Sequence, residues 1–404
     1  VRPEPDRTPP GRRGTEDRQT DLNTLGNARA LKLAGLAYLA VLSLFFVLNS
    51  YARSHHNWDV IGYTAVAYRL MGETGTDHLS TRTYEDIRRA TAPETFEKLT
   101  TGGYRAAVYQ DPEALRQQLP FYSIRPLYVA LSIAGSKLTG TIADGTALVS
   151  ALCGGLLLIL GWVAVSPRSI AVAALLPFAL YETGLGSLAR LSTPDGLAAL
   201  IALAALLLCQ RHPRPAMLLF ALLPLARTDF VILLPFAALL LHGRVPRLWI
   251  AAMLGAGAAT VVGLNAVSGN YGYLRVFDFT LVSGPQPYPA EMERTLGMTD
   301  ILGAYARGLQ RLVSKDTGMV ALILGTAAFL AAKAMRGRLV PFDKAVLASI
   351  GFALLHFLAF PSGFARHYVL AACLCLILWA RLIDRWSVQR QRRSPDNGGQ
   401  QAAS

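Results

Sequence analysis

Long apolar runs separated by short polar punctuation dominate the chain. Windows such as residues 147–165 and 248–267 each hold about 18 or more nearly charge-free positions, enough for a helix to cross a hydrocarbon core of ~30 Å. The pattern predicts ten apolar segments, some of them shorter, at 31–50, 146–165, 170–187, 195–210, 215–226, 229–242, 248–268, 318–335, 345–361 and 367–384. A shorter apolar piece, 126–134, is followed closely by Gly135, Ser136 and Lys137. It reads as a helix within 125–140 that lies in or dips into the outer interface without crossing. The expected fold class is all-α: a polytopic transmembrane helix bundle of about ten spans, with juxtamembrane amphipathic helices in a long first outer loop, 51–145. A second large outer loop covers 269–317. Residues 1–30 lack apolar periodicity, and 385–404 are basic and then rich in Gly, Gln and Ser. Both are expected to be disordered cytoplasmic tails flanking one domain, 31–384.

Composition agrees with this pattern. Of 404 residues, 52% are hydrophobic and only 16% charged, and the mean hydropathy is +0.35, which excludes an ordinary water-soluble domain. The net charge of +13 raises nucleic acid, anionic lipid or oriented loops as explanations. Topology decides among them. With ten spans and both termini inside, Arg168, Arg211, Arg214, Arg244, Arg247, Arg336 and Arg338 all fall in short inner loops, and the whole excess lies on the inner face. Membrane lipid is then the expected partner of the basic surface, and nucleic acid is not. The four cysteines, Cys153, Cys209, Cys373 and Cys375, all lie inside apolar windows, where they read as small packing residues without a disulfide or zinc pattern. Thirty-three arginines against six lysines point to a GC-rich bacterial gene.

With sides assigned, most ionisable residues beside the apolar segments cluster on the outer face, where desolvating a charge is costly and so marks a functional candidate. Asp59 closes His55-His56-Asn57-Trp58-Asp59. Beside Trp58 its carboxylate can be desolvated into a base, while an N-cap ahead of Val60, Ile61 and Tyr63 is the structural alternative. Glu182 and Asp195 lie on later helix ends, Asp195 also reading as a helix start after Thr193-Pro194. Arg125 lies in the first outer loop, and Arg190, Arg227 and Arg366, on separate helix ends, carry forked donors suited to phosphate oxygens. Arg227 and Asp229 separate two segments of only about 12 to 14 residues, ~18 to 21 Å at 1.5 Å per residue. Their junction is expected at the floor of an outward-facing cavity, with a structural intramembrane ion pair as the alternative. Arg366-His367-Tyr368 opens the last segment, and Tyr368 also fits an interfacial anchor.

Tyr271, Tyr273, Phe277, Phe279 and Tyr288 make the second outer loop aromatic, as a rigid interfacial loop or as stacking faces for sugar rings. Glu291 and Glu293 are weak candidates for a divalent cation. His55 and His56 read as solvent-facing, and His356 as hydrogen-bonded inside the bundle. A Walker-type glycine loop, HExxH and Gly-x-Ser-x-Gly are all missing, so the common nucleotide, zinc and serine-nucleophile chemistries have no motif support.

Taken in order, Trp58-Asp59, Arg125-Pro126-Leu127-Tyr128, Ser192-Thr193-Pro194-Asp195, Ala226-Arg227-Thr228-Asp229 and Arg366-His367-Tyr368 resemble the pattern of class C (GT-C) integral membrane glycosyltransferases, which use polyprenyl-phosphate-linked sugars. The likeness covers about residues 31–384. It implies an inverting transfer from a polyprenyl-phosphate sugar donor to a glycan, lipid or protein acceptor on the outer face of a bacterial cytoplasmic membrane. By the same resemblance Asp59 is the catalytic base, Asp195 and Glu182 are the second acidic site, and Arg227, Arg366, Arg190 and Arg125 hold the donor phosphate. Trp58, Tyr63, Asp229, His367 and Tyr368 support them. A divalent cation, Mg or Mn, is the one cofactor in view. Many members pair two adjacent acids after the first helix, whereas Val60 follows Asp59 here. No soluble domain follows the bundle in this sequence, so acceptor recognition is expected from the two outer loops. Two other classes compete: a transporter or flippase of an anionic lipid or glycolipid, suggested by the short segments around Arg227, and a lipid-linked glycan polymerase or ligase.

Overall fold

A computed structural model describes the backbone of residues 13–393 and the side chains of 33–390. The described residues are helical, with no strand among them. Helix α1 (Arg13–Ala52) leads into seven short helices: α2 (Asp59–Leu70), α3 (Thr76–Ala90), α4 (Pro93–Thr100), α5 (Gly103–Gln110), α6 (Pro112–Gln118), α7 (Pro120–Ser123) and α8 (Pro126–Thr139). The chain continues through α9 (Ile142–Val165), α10 (Ile170–Leu180), a π-turn (Tyr181–Leu185), α11 (Gly186–Leu188), α12 (Asp195–Leu208) and α13 (Pro213–Ala226). A 3-10 turn (Thr228–Leu233) then runs into α14 (Leu234–Leu241), α15 (Arg247–Ser268) and α16 (Tyr273–Phe277). The last long helices are α17 (Met298–Lys315), α18 (Thr317–Met335), α19 (Pro341–Ala359) and α20 (Val369–Arg393).

Six stretches are long and apolar enough to cross a bilayer: Leu33–Ala52, Ile142–Val165, Ile170–Leu188, Arg247–Ser268, Thr317–Met335 and Pro341–Ala359. They make this a multi-pass membrane protein. Three further apolar helices, Asp195–Leu208, Pro213–Ala226 and Thr228–Leu241, are shorter than a full span. The tails differ from expectation. Helix α1 is already formed at Arg13 and α20 continues to Arg393, so residues 13–30 and 385–393 are helical. The reason is that hydropathy marks where apolar residues stop, whereas a helix propagates through polar residues until a breaker or a lost packing partner ends it. Residues 1–12 and 394–404, the remainder of the expected tails, lie outside the described residues.

Small residues set the closest helix approaches, as is usual where lipid removes the hydrophobic drive between helices. A Cβ on Gly155 of α9 would stand 2.4 Å from Val47 of α1, and one on Gly145 would stand 2.3 Å from the Ser132 carbonyl. Helix α8 therefore lies antiparallel along α9, and the Tyr128 hydroxyl donates to the Thr146 carbonyl at 3.1 Å. At 14 residues, about 21 Å, α8 is shorter than a full span, and its buried Tyr128, Val129 and Ser132 are held by α9.

Two helices are capped from far along the chain. Asp86 of α3, 1% exposed, accepts the backbone N–H groups of Ile142 and Ala143, both at 3.0 Å, and the Tyr68 hydroxyl at 2.8 Å. Asp384 of α20 accepts from the N–H groups of Arg168 and Ser169 ahead of α10. These carboxylates satisfy orphan donors at helix starts. Asp86→Ala leaves three buried donors unpaired and is expected to destabilise the folded protein by about 3 kcal/mol. Thermal unfolding of the detergent-purified variant checks this; an unchanged midpoint would mean that water replaces the cap.

Candidate functional site

Five separate chain segments deliver one continuous row of charged groups. Asp59 is the first residue of α2, yet its carboxylate does not cap that helix. It accepts from Asn57 Nδ2 at 2.7 Å, from the Tyr122 hydroxyl at 3.4 Å and from Arg366 Nη1 at 3.3 Å. Arg366, in the 3-10 turn before α20, also faces Asp195 with its Nε 3.7 Å from the carboxylate. Asp195, at the start of α12, forms a close ion pair with Arg227. Arg227 in turn forks onto Asp229, its Nε donating to Oδ1 at 2.9 Å, and its Nη2 donates to His367 Nδ1 at 3.2 Å. His356 of α19 closes the row by donating from Nε2 to Asp229 Oδ2 at 2.8 Å. The side chains of Asp195, Arg227 and His356 are buried, whereas Asp59 and Arg366 are about a quarter exposed, at 26% and 27%. Asp229 is 29% exposed, so the row reaches solvent there as well as at the Asp59–Arg366 end.

Local sequence explains this placement. Pro213 starts α13, and at Arg227 the backbone is extended (φ −153°, ψ 121°) before the 3-10 turn resumes a helix. A break inside a pair of short apolar helices puts an arginine among buried partners that satisfy it. At the other end, Gly62 has no side chain to obstruct the Tyr122 ring, since a Cβ there would fall 2.2 Å from it. Tyr122 thus lies across α2 and aims its hydroxyl at Asp59. Burial, reinforced by the Asp59 charge, holds the Tyr122 hydroxyl well above its ordinary range, so it remains a donor. Tyr63 is pushed up to about 12 by burial, against the pull of Arg125, with Asp59 raising it and Arg227 and Arg366 lowering it.

The remaining predicted residues divide. Arg125 reaches the row through Tyr63, donating from Nη1 to the Tyr63 hydroxyl at 2.8 Å and to the Phe121 carbonyl at 2.9 Å. Trp58 packs against Tyr104 with the rings tilted by 57° and centroids 4.8 Å apart. Tyr368 is buried and donates to the Ser362 carbonyl at 2.7 Å, a bundle contact in place of an interfacial anchor. Arg190 turns to the Tyr181 hydroxyl at 3.1 Å, and the row does not include it. Glu182 is exposed on the π-turn and, among the described residues, has no ion-pair partner. His56 is not solvent-facing: its positive φ of 37° turns the ring inward, where it meets Ser54 Oγ at 2.8 Å and lies 3.7 Å from Asp144. All four cysteines are buried and free.

Two participants were missed from the sequence, Asn57 and Tyr122, while His356 is hydrogen-bonded inside the bundle as expected, its partner being Asp229. Asn57 ties the two acidic sites together, its Oδ1 accepting the Ser192 N–H at 2.8 Å while its Nδ2 holds Asp59. His356 had a readable signal, an imidazole within an apolar run. Asn57 and Tyr122 had none beyond nearness to Asp59 and Arg125.

Asp229, His356 and His367 place ligand atoms within 4.8 Å of one another, the metal-ligand grouping found among the described residues. Two imidazoles and a carboxylate suit zinc or iron better than magnesium. Arg227, however, donates to both Asp229 and His367, so a cation would compete with a guanidinium for the same lone pairs. Glu291 and Glu293 are exposed and lie outside this grouping.

The second large loop is stitched to the first. Gln118 donates to the carbonyls of Gln286 and Pro287, Tyr271 to that of Gln117, and Phe121 packs on Phe279 at 4.6 Å. An open cleft of ≈ 460 Å³ borders Tyr271, Tyr273, Arg275, Asp278 and Arg294. Comparison of the chain with family profiles, with curated proteins and with solved structures gave no match.

Proposed function

We propose that this protein is an inverting glycosyltransferase of the GT-C type, moving a sugar from a polyprenyl-phosphate donor to a cell-envelope acceptor. The observation that carries this reading is the bridge made by Arg366, which joins Asp59, 307 residues earlier, to Asp195. A carboxylate and a set of guanidinium groups thereby meet where one largely buried row reaches solvent. That combination suits removal of a proton from a hydroxyl next to a departing phosphate.

In this mechanism the donor phosphate competes for Arg366 and Arg227, and the shift of Arg366 toward phosphate releases the Asp59 carboxylate. Asp59 takes the proton of the acceptor hydroxyl, whose oxygen attacks the anomeric carbon. The sugar–phosphate bond breaks, and the electron pair leaves on the lipid phosphate held by the arginines. The new glycosidic bond lies on the face opposite the one that broke. Asn57 and Tyr122 orient the base, and the cleft beside Tyr271 and Tyr273 is assigned to the acceptor. The protein sits in a bacterial cytoplasmic membrane with ten crossings, both termini inside and the site outside. Arg190 and Glu182 take no part in the step.

Because Arg227 fills the Asp229–His367 side of the metal-like grouping, the reaction is assigned no divalent cation. Donor turnover is expected to survive exhaustive chelation; loss restored by Mn or Mg would place a cation in the mechanism. The short helices Pro213–Ala226 and Thr228–Leu241, meeting at Arg227, favour a second reading as a transporter of an anionic lipid. Proteoliposomes loaded with a polyprenyl-phosphate sugar separate the two. Mass spectrometry should find free polyprenyl phosphate and a glycosylated acceptor; movement of intact donor between leaflets without bond cleavage would replace the transferase with the transporter.

A further inference from the structure

Helix α17 carries three rows, one at steps of four and seven residues and two at steps of four. Met298, Leu302, Leu309 and Val313 fall on one face and are exposed at 70%, 60%, 56% and 49%. Ala304, Gly308 and Leu312 form a buried row. Arg307, Arg311 and Lys315 form the third row, and all three are exposed. One turn later the chain enters α18, a membrane-crossing stretch. An exposed apolar face opposite a basic one, attached directly to a span, is the pattern of a helix lying in the headgroup layer.

The buried row fixes where this helix docks. A Cβ on Gly308 would stand 2.2 Å from the Pro361 carbonyl oxygen, and one on Gly363 would stand 2.7 Å from Arg311 Cβ. The backbones of α17 and the 361–363 segment are therefore in contact, and the Arg311 side chain lies over Gly363. Its guanidinium carbon is 4.0 Å from the centre of the Phe364 ring. The Arg366 guanidinium is 5.3 Å from the centre of the same ring. Among the described residues, Arg311 has no carboxylate within ion-pair distance. Two cations sharing one aromatic ring, one of them without an anion, form an arrangement that an incoming anion stabilises.

We propose that Arg311 is a further phosphate-binding residue, which meets the phosphate of a prenyl-linked ligand at the outer edge of the site and shares it with Arg366 across Phe364. This rests on the sugar-phosphate reading above for the identity of the lipid. Arg311 is exposed, so its replacement leaves the buried row intact.

The test is a binding titration of the full chain in nanodiscs with farnesyl phosphate, farnesol and inorganic phosphate, for the wild type, Arg311→Ala and Arg311→Lys. Arg311→Ala should weaken farnesyl phosphate binding about tenfold, Arg311→Lys should recover part of it, and farnesol binding should not change. Unchanged affinity for farnesyl phosphate in Arg311→Ala, with an unchanged unfolding midpoint, overturns the assignment. Inorganic phosphate binding as tightly as farnesyl phosphate overturns the prenyl-linked ligand. Arg311-dependent binding in a protein that never cleaves a sugar donor supports the arginine pair and removes the transferase reading instead.

Discussion

Replacing Asp59 with Asn is expected to lower sugar transfer by about 10²- to 10⁴-fold while leaving the protein folded and abundant. The amide is nearly isosteric: with its oxygen accepting from Asn57 Nδ2, its NH2 group donates to the Tyr122 hydroxyl oxygen, so the local geometry is retained. What disappears is the ability to take a proton and the charge that attracts Arg366. Donor binding should be kept or slightly strengthened, because Arg366 loses a competing carboxylate. A fall confined to kcat therefore separates loss of the base from loss of the site. Transfer at wild-type rates would assign the base to another group.

Arg227→Ala should produce the largest loss of stability of any single change in the row. Arg227 is 8% exposed at its side chain and meets Asp195, Asp229 and His367 at once. Removing it leaves the Asp195 carboxylate, 3% exposed, without its closest countercharge. Breaking a buried pair from one side costs about 3–5 kcal/mol, since the remaining charge stays desolvated. Arg227→Lys should fall between the two, because an ammonium cannot reproduce the fork that grips Asp229 while reaching Asp195. Arg366→Ala should cost much less, its partner Asp59 being partly in water. Chemical unfolding in detergent checks the order. An Arg227→Ala protein as stable as Arg366→Ala would mean that water already solvates the Asp195 side of the row.

Apolar runs made the helical, multi-pass architecture legible, because about 18 nearly uncharged residues have few other stable homes. Arg227 was legible as a break because the segments around it were too short to cross. Pairing was not legible. Nothing local says that Arg366 faces Asp59, since their meeting depends on how α20 and α2 pack around α9 and α12. The same holds for Asp86 and Asp384, which cap helices 56 and 216 residues away. Asp59 was correctly placed at a helix start, but its oxygens turn to side chains, which only the position of Tyr122 over Gly62 explains. His56 escaped because inward orientation depends on a backbone angle that sequence does not display. The α17 pattern was present in the spacing of Met298, Leu302, Leu309 and Val313, but aromatic and proline residues upstream drew attention to the loop alone.

The most direct measurement is a cryo-EM map of the full chain in nanodiscs with bound polyprenyl phosphate. The phosphate is expected against the Arg227 and Arg366 guanidinium groups, with oxygens about 3 Å from their nitrogens, and with Asp59 released from Arg366 and facing the vacated sugar position. A phosphate seated away from both arginines, with Arg366 still shared between Asp59 and Asp195, would contradict a common site for the base and the leaving group.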